Sequence, residues 1–215
     1  AFSLNARDTY EEMYWKYGYD RYFDSFEHYY SLYQRRNLDL WAEYADGKVT
    51  KEELNRQRYL YPLEAVGAGD STLAKAYERD ALTMIPTKSK LMPHAREVLE
   101  YLSGKYNLYI LSNGFKELQS HKMRSSGIDE YFKKVVLSDD IGILKPWPEI
   151  FHFALSTTQS ELNNSLMIGD SWENDIVGAA GVGMHQVFYN LSGRTDLPFA
   201  PTYQITDLKD LFNFL

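Results

Sequence analysis

The chain of 215 residues contains no cysteine, which excludes disulfides and thiolate chemistry and leaves oxygen and nitrogen groups for any catalysis. It has no apolar run near the roughly 18 residues a membrane helix needs, and no basic-then-apolar segment opens it. Lys/Arg-dense blocks are missing too. With 23 Lys+Arg against 30 Asp+Glu the formal net charge is −7, so general attraction to nucleic acid polymers or anionic membranes is not expected. An anionic substrate therefore needs positive potential built locally by its site. Repeats and low-complexity segments are absent. What is present is a globular composition, 44% hydrophobic and 25% charged, enough for one domain with an inserted subdomain. Zero cysteines and no leader fit a cytoplasmic location.

The sequence changes character near Pro86. From Asp8 to Ile85 it reads helical, with candidates at Asp8 to Tyr17, Ser25 to Tyr44, a segment opened by the Thr50/Glu53 capping box, and Ser71 to Met84. After Pro86, strands and helices alternate. "HAREVLEYLSG" is a helix ending on Gly104, and "NLYILSNG" a strand suited to burial on both faces. Phe115 to Ser126 is a helix closed by Gly127, and "KKVVLSDD" a second strand before the helix "PEIFHFALSTT". "SLMIGD" is a third strand leading to a small-residue helix through Gly181, "MHQVFYN" a fourth, and "TYQITDLKDLFNFL" a short strand with a closing helix. Such alternation means a parallel sheet with right-handed crossovers. The expected fold is α/β, with a helical subdomain over 1–86 and a doubly wound Rossmann-like domain over 87–215.

Open parallel sheets bind ligands beyond the carboxyl ends of their strands, and three such ends carry suitable groups. Ser112-Asn113-Gly114 offers a hydroxyl and backbone N–H donors to an anionic oxygen; a plain helix cap reads the same way. Lys145, stiffened by Pro146 and Pro148, suits neutralisation of a phosphate, although most loop lysines are simply exposed. Asp170 ends the third strand and Asp175 enters the next helical turn. They fit a Mg²⁺ site built from one or two carboxylates, waters and a substrate phosphate, with Asp175 a second ligand or the group that orients the first. A helix dipole accounts for acids there as well. Donor, lysine and acid pair on successive strand ends together compose one anion-plus-metal site.

"ILSNG", "LKPWPEIF" and "MIGDSWENDI" resemble the second, third and fourth motifs of the haloacid dehalogenase (HAD) superfamily, across essentially the whole chain. The resemblance implies a Rossmann-like core, a nucleophilic Asp that becomes an aspartyl-phosphate, and a helical cap over residues 8–85 that covers the site. It makes Ser112, Asn113 and Gly114 the phosphate-binding residues, Lys145 the charge-neutralising lysine, and Asp170 and Asp175 the Mg²⁺ acids, with Ser112 and Lys145 in the catalytic machinery. The "SNGF" and "KPxPxIF" forms and the cap are similar to the pyrimidine 5′-nucleotidase branch, which implies a nucleoside monophosphate substrate. Sugar phosphates and phosphoglycolate are the alternatives.

The family's first motif, DxDx(T/V), is not found. Asp8 in "NARDTY" follows no apolar strand and reads as a helix start. The expectation is truncation, because Ala1 falls about where a family sequence resumes after that motif. The missing strand is the central one in the family's sheet. Without it two interior edges lie open, each unpaired buried backbone group costing about 1–3 kcal/mol, yet "LYILS" and "SLMIG" stay as apolar as a covered sheet requires. A catalytically dead phosphate-binding protein is the competing reading. Metal-free dehalogenation is disfavoured, since it has no use for paired Mg²⁺ acids. In the helical part Tyr22, Phe26, Tyr29 and Tyr33 form a stripe that is core packing or, in a ring or two, a stacking surface for a nucleobase; Arg35 and Arg36 are exposed arginines or anion contacts.

Overall fold

A computed structural model describes residues 2–215. The chain divides into two compact units, one ending at Lys90 and the other spanning Leu91–Leu215.

The first unit is helical: α1 (Phe2–Lys16), α2 (Phe26–Ala45), α3 (Lys51–Ala65) and α4 (Ser71–Met84). Its starts are set locally. Ser25 Oγ accepts from His28 N–H at the head of α2, and Asp70 caps α4 through the amides of Thr72 and Leu73. The Thr50/Glu53 box closes in both directions, at 3.1 and 2.8 Å. The first helix begins at Phe2, earlier than Asp8, with the small Ala6 buried against the core. One apolar cluster joins all four helices and is made largely of tyrosine. Phe26, Tyr29 and Tyr33 lie inside it and Tyr22 packs half-buried against it, so in this arrangement the stripe serves as core. Arg36 is held by Glu43 and Gln57, while Arg35 is exposed.

The second unit is α/β. Its helices are α5 (Ala95–Ser103), α6 (Lys116–Ser126), α7 (Pro148–Thr158) and the single turn α8 (Gly178–Gly181). Its strands are β1 (Tyr109–Ser112), β2 (Lys134–Leu137), β3 (Leu166–Gly169), β4 (His185–Tyr189) and β5 (Tyr203–Ile205). All pairings are parallel. Strand β1 runs with β2, Ser112 opposite Leu137, and β3, β4 and β5 form a separate sheet with Gly169 opposite Phe188. Alternation along β3 sends Leu166 and Ile168 to a cluster with Val98 and Leu102 of α5, and Met167 to a cluster with Ile150 and Phe151 of α7. Helices thus cover both faces, as a doubly wound fold requires. No helix among the described residues is long and apolar enough to cross a membrane.

Three expectations change. Strands β1 and β3, read as buried on both faces, are half-buried at every position, whereas β4 is buried from Gln186 onward. The reason is that among the described residues no strand pairs β1 with β3, so each keeps an open edge. The small-residue helix after Asp170 begins as a π turn, Trp172–Val177, before the α8 turn. The closing helix is 3₁₀, Leu208–Asn213, held by an Asp207/Asp210 capping box.

Candidate active site

The carboxyl ends of β1 and β3 are linked by one ion pair. Lys145 Nζ donates to the Leu111 carbonyl of β1 at 2.9 Å and to Asp175 Oδ1 at 2.5 Å. Both side chains are less than a tenth exposed. The other carboxylate oxygen, Asp175 Oδ2, accepts the Ser171 amide at 3.0 Å. A buried carboxylate with both oxygens satisfied is held hard in place.

That placement depends on Gly169. A Cβ there would stand 2.2 Å from Asp175 Oδ2, well inside contact distance, so only glycine lets the carboxylate lie against the end of β3. A second close approach fixes the lysine loop. A Cβ on Gly178 would meet the Phe151 ring at 2.6 Å and Pro146 Cα at 3.0 Å, so the small-residue run packs directly against the Lys145 segment.

Asn113 ties the same loop to β1. Its side-chain Nδ2 donates to the Lys145 carbonyl at 3.0 Å, and its Oδ1 accepts the Lys145 amide at 2.8 Å. Asn113 therefore spends its amide on the backbone of Lys145. Ser112 Oγ accepts the Gly114 amide at 3.0 Å and Gln119 Nε2 at 3.2 Å. Lys145 has used two of its three N–H donors, and Ser112 keeps its own O–H, so both retain a donor for an anion.

Asp170 is exposed directly after Gly169. Its charge acts, with that of Asp207, on the Tyr189 hydroxyl at the end of β4, whose pKa is raised chiefly by burial. The structure thus joins Asn113, Lys145 and Asp175 in one hydrogen-bonded group, with Ser112 and Gly114, bonded to each other, flanking Asn113 along the chain, and Asp170 adjoins Ser171, whose amide holds Asp175. Asp175 faces Lys145, a pairing 30 residues apart that spacing along the chain does not show. Sequence reading passed over three contributors. Ser171 caps the π turn by accepting the Asn174 amide, a signal visible as Ser with a polar residue three places on. Gln119 and Lys122 share one face of α6 at a spacing of three residues. Lys122 donates to Gln119 Oε1 at 2.7 Å, and burial lowers its pKa to about 8.

A family model described as a haloacid dehalogenase-like hydrolase matches residues 5–183. The chain belongs to that family. It is similar to the HAD-hydrolase YfnB of Bacillus subtilis (strain 168), 29% identical across 85% of this chain and 78% of YfnB. It is 30% identical to pyrimidine 5′-nucleotidase YjjG of Escherichia coli (strain K12), across 85% of this chain and 80% of YjjG. Pyrimidine 5′-nucleotidase PynA of Streptococcus pneumoniae (strain ATCC BAA-255 / R6) is 27% identical across 87% of this chain and 79% of PynA. A crystal structure of YfnB, solved bound to magnesium, matches with a TM-score of 0.87 and 25% identity, covering 100% of this chain and 92% of that one. The HAD fold and a hydrolase family with phosphatase and nucleotidase members are therefore established for this chain.

Proposed function

We propose that the α/β unit is the core of a Mg²⁺-dependent phosphomonoester hydrolase acting on a small phosphometabolite, with nucleoside monophosphates as the leading substrates. The observation that carries this reading is the buried Lys145–Asp175 pair, set between the ends of β1 and β3 with a spare lysine donor, while the Ser112 O–H at the end of β1 is also unspent. A fixed ammonium and a fixed hydroxyl suit a phosphate that must be held while charge develops on its oxygens. The nucleotidase relatives support nucleotides over other phosphomonoesters.

The donor set fits Mg²⁺ on chemical grounds. An exposed carboxylate at a strand end, next to a phosphate position, matches an ion that takes one or two carboxylates and otherwise keeps its waters. Asp170 would hold the ion, and Asp175, which accepts from Lys145 and from the Ser171 amide, would keep the lysine in place beside it. When bound, Mg²⁺ neutralises charge on the phosphoryl oxygens.

In this reading Lys145 and Ser112 bind two phosphoryl oxygens, Gly114 shapes the turn beneath them, and Asn113 keeps the lysine loop in register with β1. The attacking carboxylate comes from a strand seated between β1 and β3, as the family resemblance implies. The competing reading is phosphate binding without catalysis.

The test is phosphate release from nucleoside monophosphates, sugar phosphates and phosphoglycolate, with and without Mg²⁺, by the protein with the first-motif strand in place. Mg²⁺-dependent turnover, greatest on nucleotides, is expected. Turnover that survives chelation of the metal would overturn the mechanism, and no turnover on any of them would leave the binding reading.

A further inference from the structure

Ser112 Oγ receives two hydrogen bonds. The Gly114 amide donates to it at 3.0 Å and Gln119 Nε2 at 3.2 Å. A hydroxyl has one proton to give and two lone pairs to accept with. With both lone pairs filled, Ser112 can use its proton only to donate to a third group. A serine at a strand end without such partners is free to turn its proton onto nearby backbone carbonyls.

The orientation of the Gln119 amide is itself determined. Lys122 Nζ lies 2.7 Å from the far end of that amide. An ammonium has donors and no acceptor, so the atom facing it must be the oxygen, Oε1. That leaves Nε2, a donor, to face Ser112. The three side chains therefore form a directed chain in which Lys122 donates to Gln119 and Gln119 donates to Ser112. Gln119 and Lys122 meet because they stand three residues apart on α6.

We propose that Gln119, with its amide set by Lys122, is a positioning residue that makes the Ser112 hydroxyl a dedicated donor to an anionic oxygen of the bound phosphoryl group. This rests on the phosphate site proposed above. It gives a purpose to two side chains that lie outside the strand-end motifs. A hydroxyl locked as donor loses nothing to reorientation when the anion arrives, and its bond to a charged oxygen is of the stronger kind.

The test is a ³¹P NMR titration of inorganic phosphate into the full chain at saturating Mg²⁺. The proteins compared are wild type, Ser112→Ala, Gln119→Met, Lys122→Met and the double variant Ser112→Ala/Gln119→Met. Methionine keeps the length of glutamine and lysine without a donor or a new charge. Loss of the Ser112 donor should weaken phosphate about tenfold. Gln119→Met should weaken it several-fold, and Lys122→Met by less, because the freed amide can still find the donating orientation. The double variant should bind no worse than Ser112→Ala alone, since Gln119 acts only through that hydroxyl. A merely structural glutamine predicts additive losses in the double variant, and that result overturns the proposal, as does unchanged affinity in Gln119→Met. If Gln119→Met does not fold, Lys122→Met combined with Ser112→Ala gives the same cycle. Failure of the wild type to bind phosphate would instead sink the phosphate site and the proposal with it, whereas wild-type binding with additive losses sinks the proposal alone.

Discussion

In the helical unit a tyrosine-rich cluster ties four helices together, whereas in the α/β unit the two sheets meet at an ion pair. The helical core also tolerates polar atoms that find no partner. The Tyr19 hydroxyl and Arg58 Nε are both buried without a hydrogen bond. Among the described residues, atoms of that kind occur in the helical unit only. At the ends of β1 and β3, by contrast, Lys145, Asp175, Asn113 and Ser112 each have named partners. Burial of large rings stabilises the first unit well enough to absorb a few unmet hydrogen bonds. The second unit holds its charged groups in fixed positions, which is what a phosphate site needs and an apolar core does not.

Removing polar groups should therefore have opposite consequences in the two units. The largest effect is expected for Lys145→Met, which strands a buried carboxylate at Asp175. Chemical denaturation should show a loss of about 3–5 kcal/mol, partly recovered when Asp175→Leu is added. A wild-type midpoint in the single variant would mean that the pair holds nothing in place. Gly169→Ala comes next. The added methyl overlaps Asp175 Oδ2 and should cost about 1–3 kcal/mol while weakening phosphate binding.

The comparison reverses sign with Tyr19→Phe, which deletes a hydroxyl buried without a partner. Thermal melts should show unchanged or higher stability, by up to about 1 kcal/mol. A clear loss would reveal a partner for that hydroxyl. The remaining effect is confined to alkaline pH and concerns Lys122. Its pKa is lowered by burial from the usual 10.5 to about 8. Between those values the unfolded chain binds more protons than the folded one, so stability should rise with pH across that window. Below about pH 8 both states carry the charge and the slope vanishes. Lys122→Met should flatten the rise, and an identical pH profile in wild type and variant would remove the burial argument.

Much of this organisation is legible along the chain because it is local. The Thr50/Glu53 box, the left-handed Gly127 that closes α6 and the strand ends at Ser112 and Gly169 are each set by neighbours a few residues away. The strand-end groups are legible for the same reason: parallel topology brings carboxyl ends to one edge whatever their separation. Relations between distant residues are not. Nothing in "GDSWENDI" says that Asp175 will turn to Lys145, since that choice follows from the glycine at 169 and from a lysine 30 residues earlier. The half-burial of β1 and β3 is not legible along the chain, because apolar residues report what a strand can cover, not what lies beside it. The π turn at Trp172–Val177 was hidden as well. It comes from Asp175 N–H and Ile176 N–H both reaching back to the Ser171 carbonyl, a tertiary fit rather than a propensity.

The central claim is that these strand ends hold a phosphate together with Mg²⁺, with Asp170 on the ion and Asp175 on Lys145. It is tested most directly by measuring inorganic phosphate affinity as a function of Mg²⁺ in the wild type and in Asp170→Ala, after confirming equal thermal stability. The account predicts that Mg²⁺ strengthens phosphate binding in the wild type and has no effect in the variant, because Asp170 is exposed and its loss leaves the Lys145–Asp175 pair intact. An equal Mg²⁺-dependent gain in both proteins would contradict it.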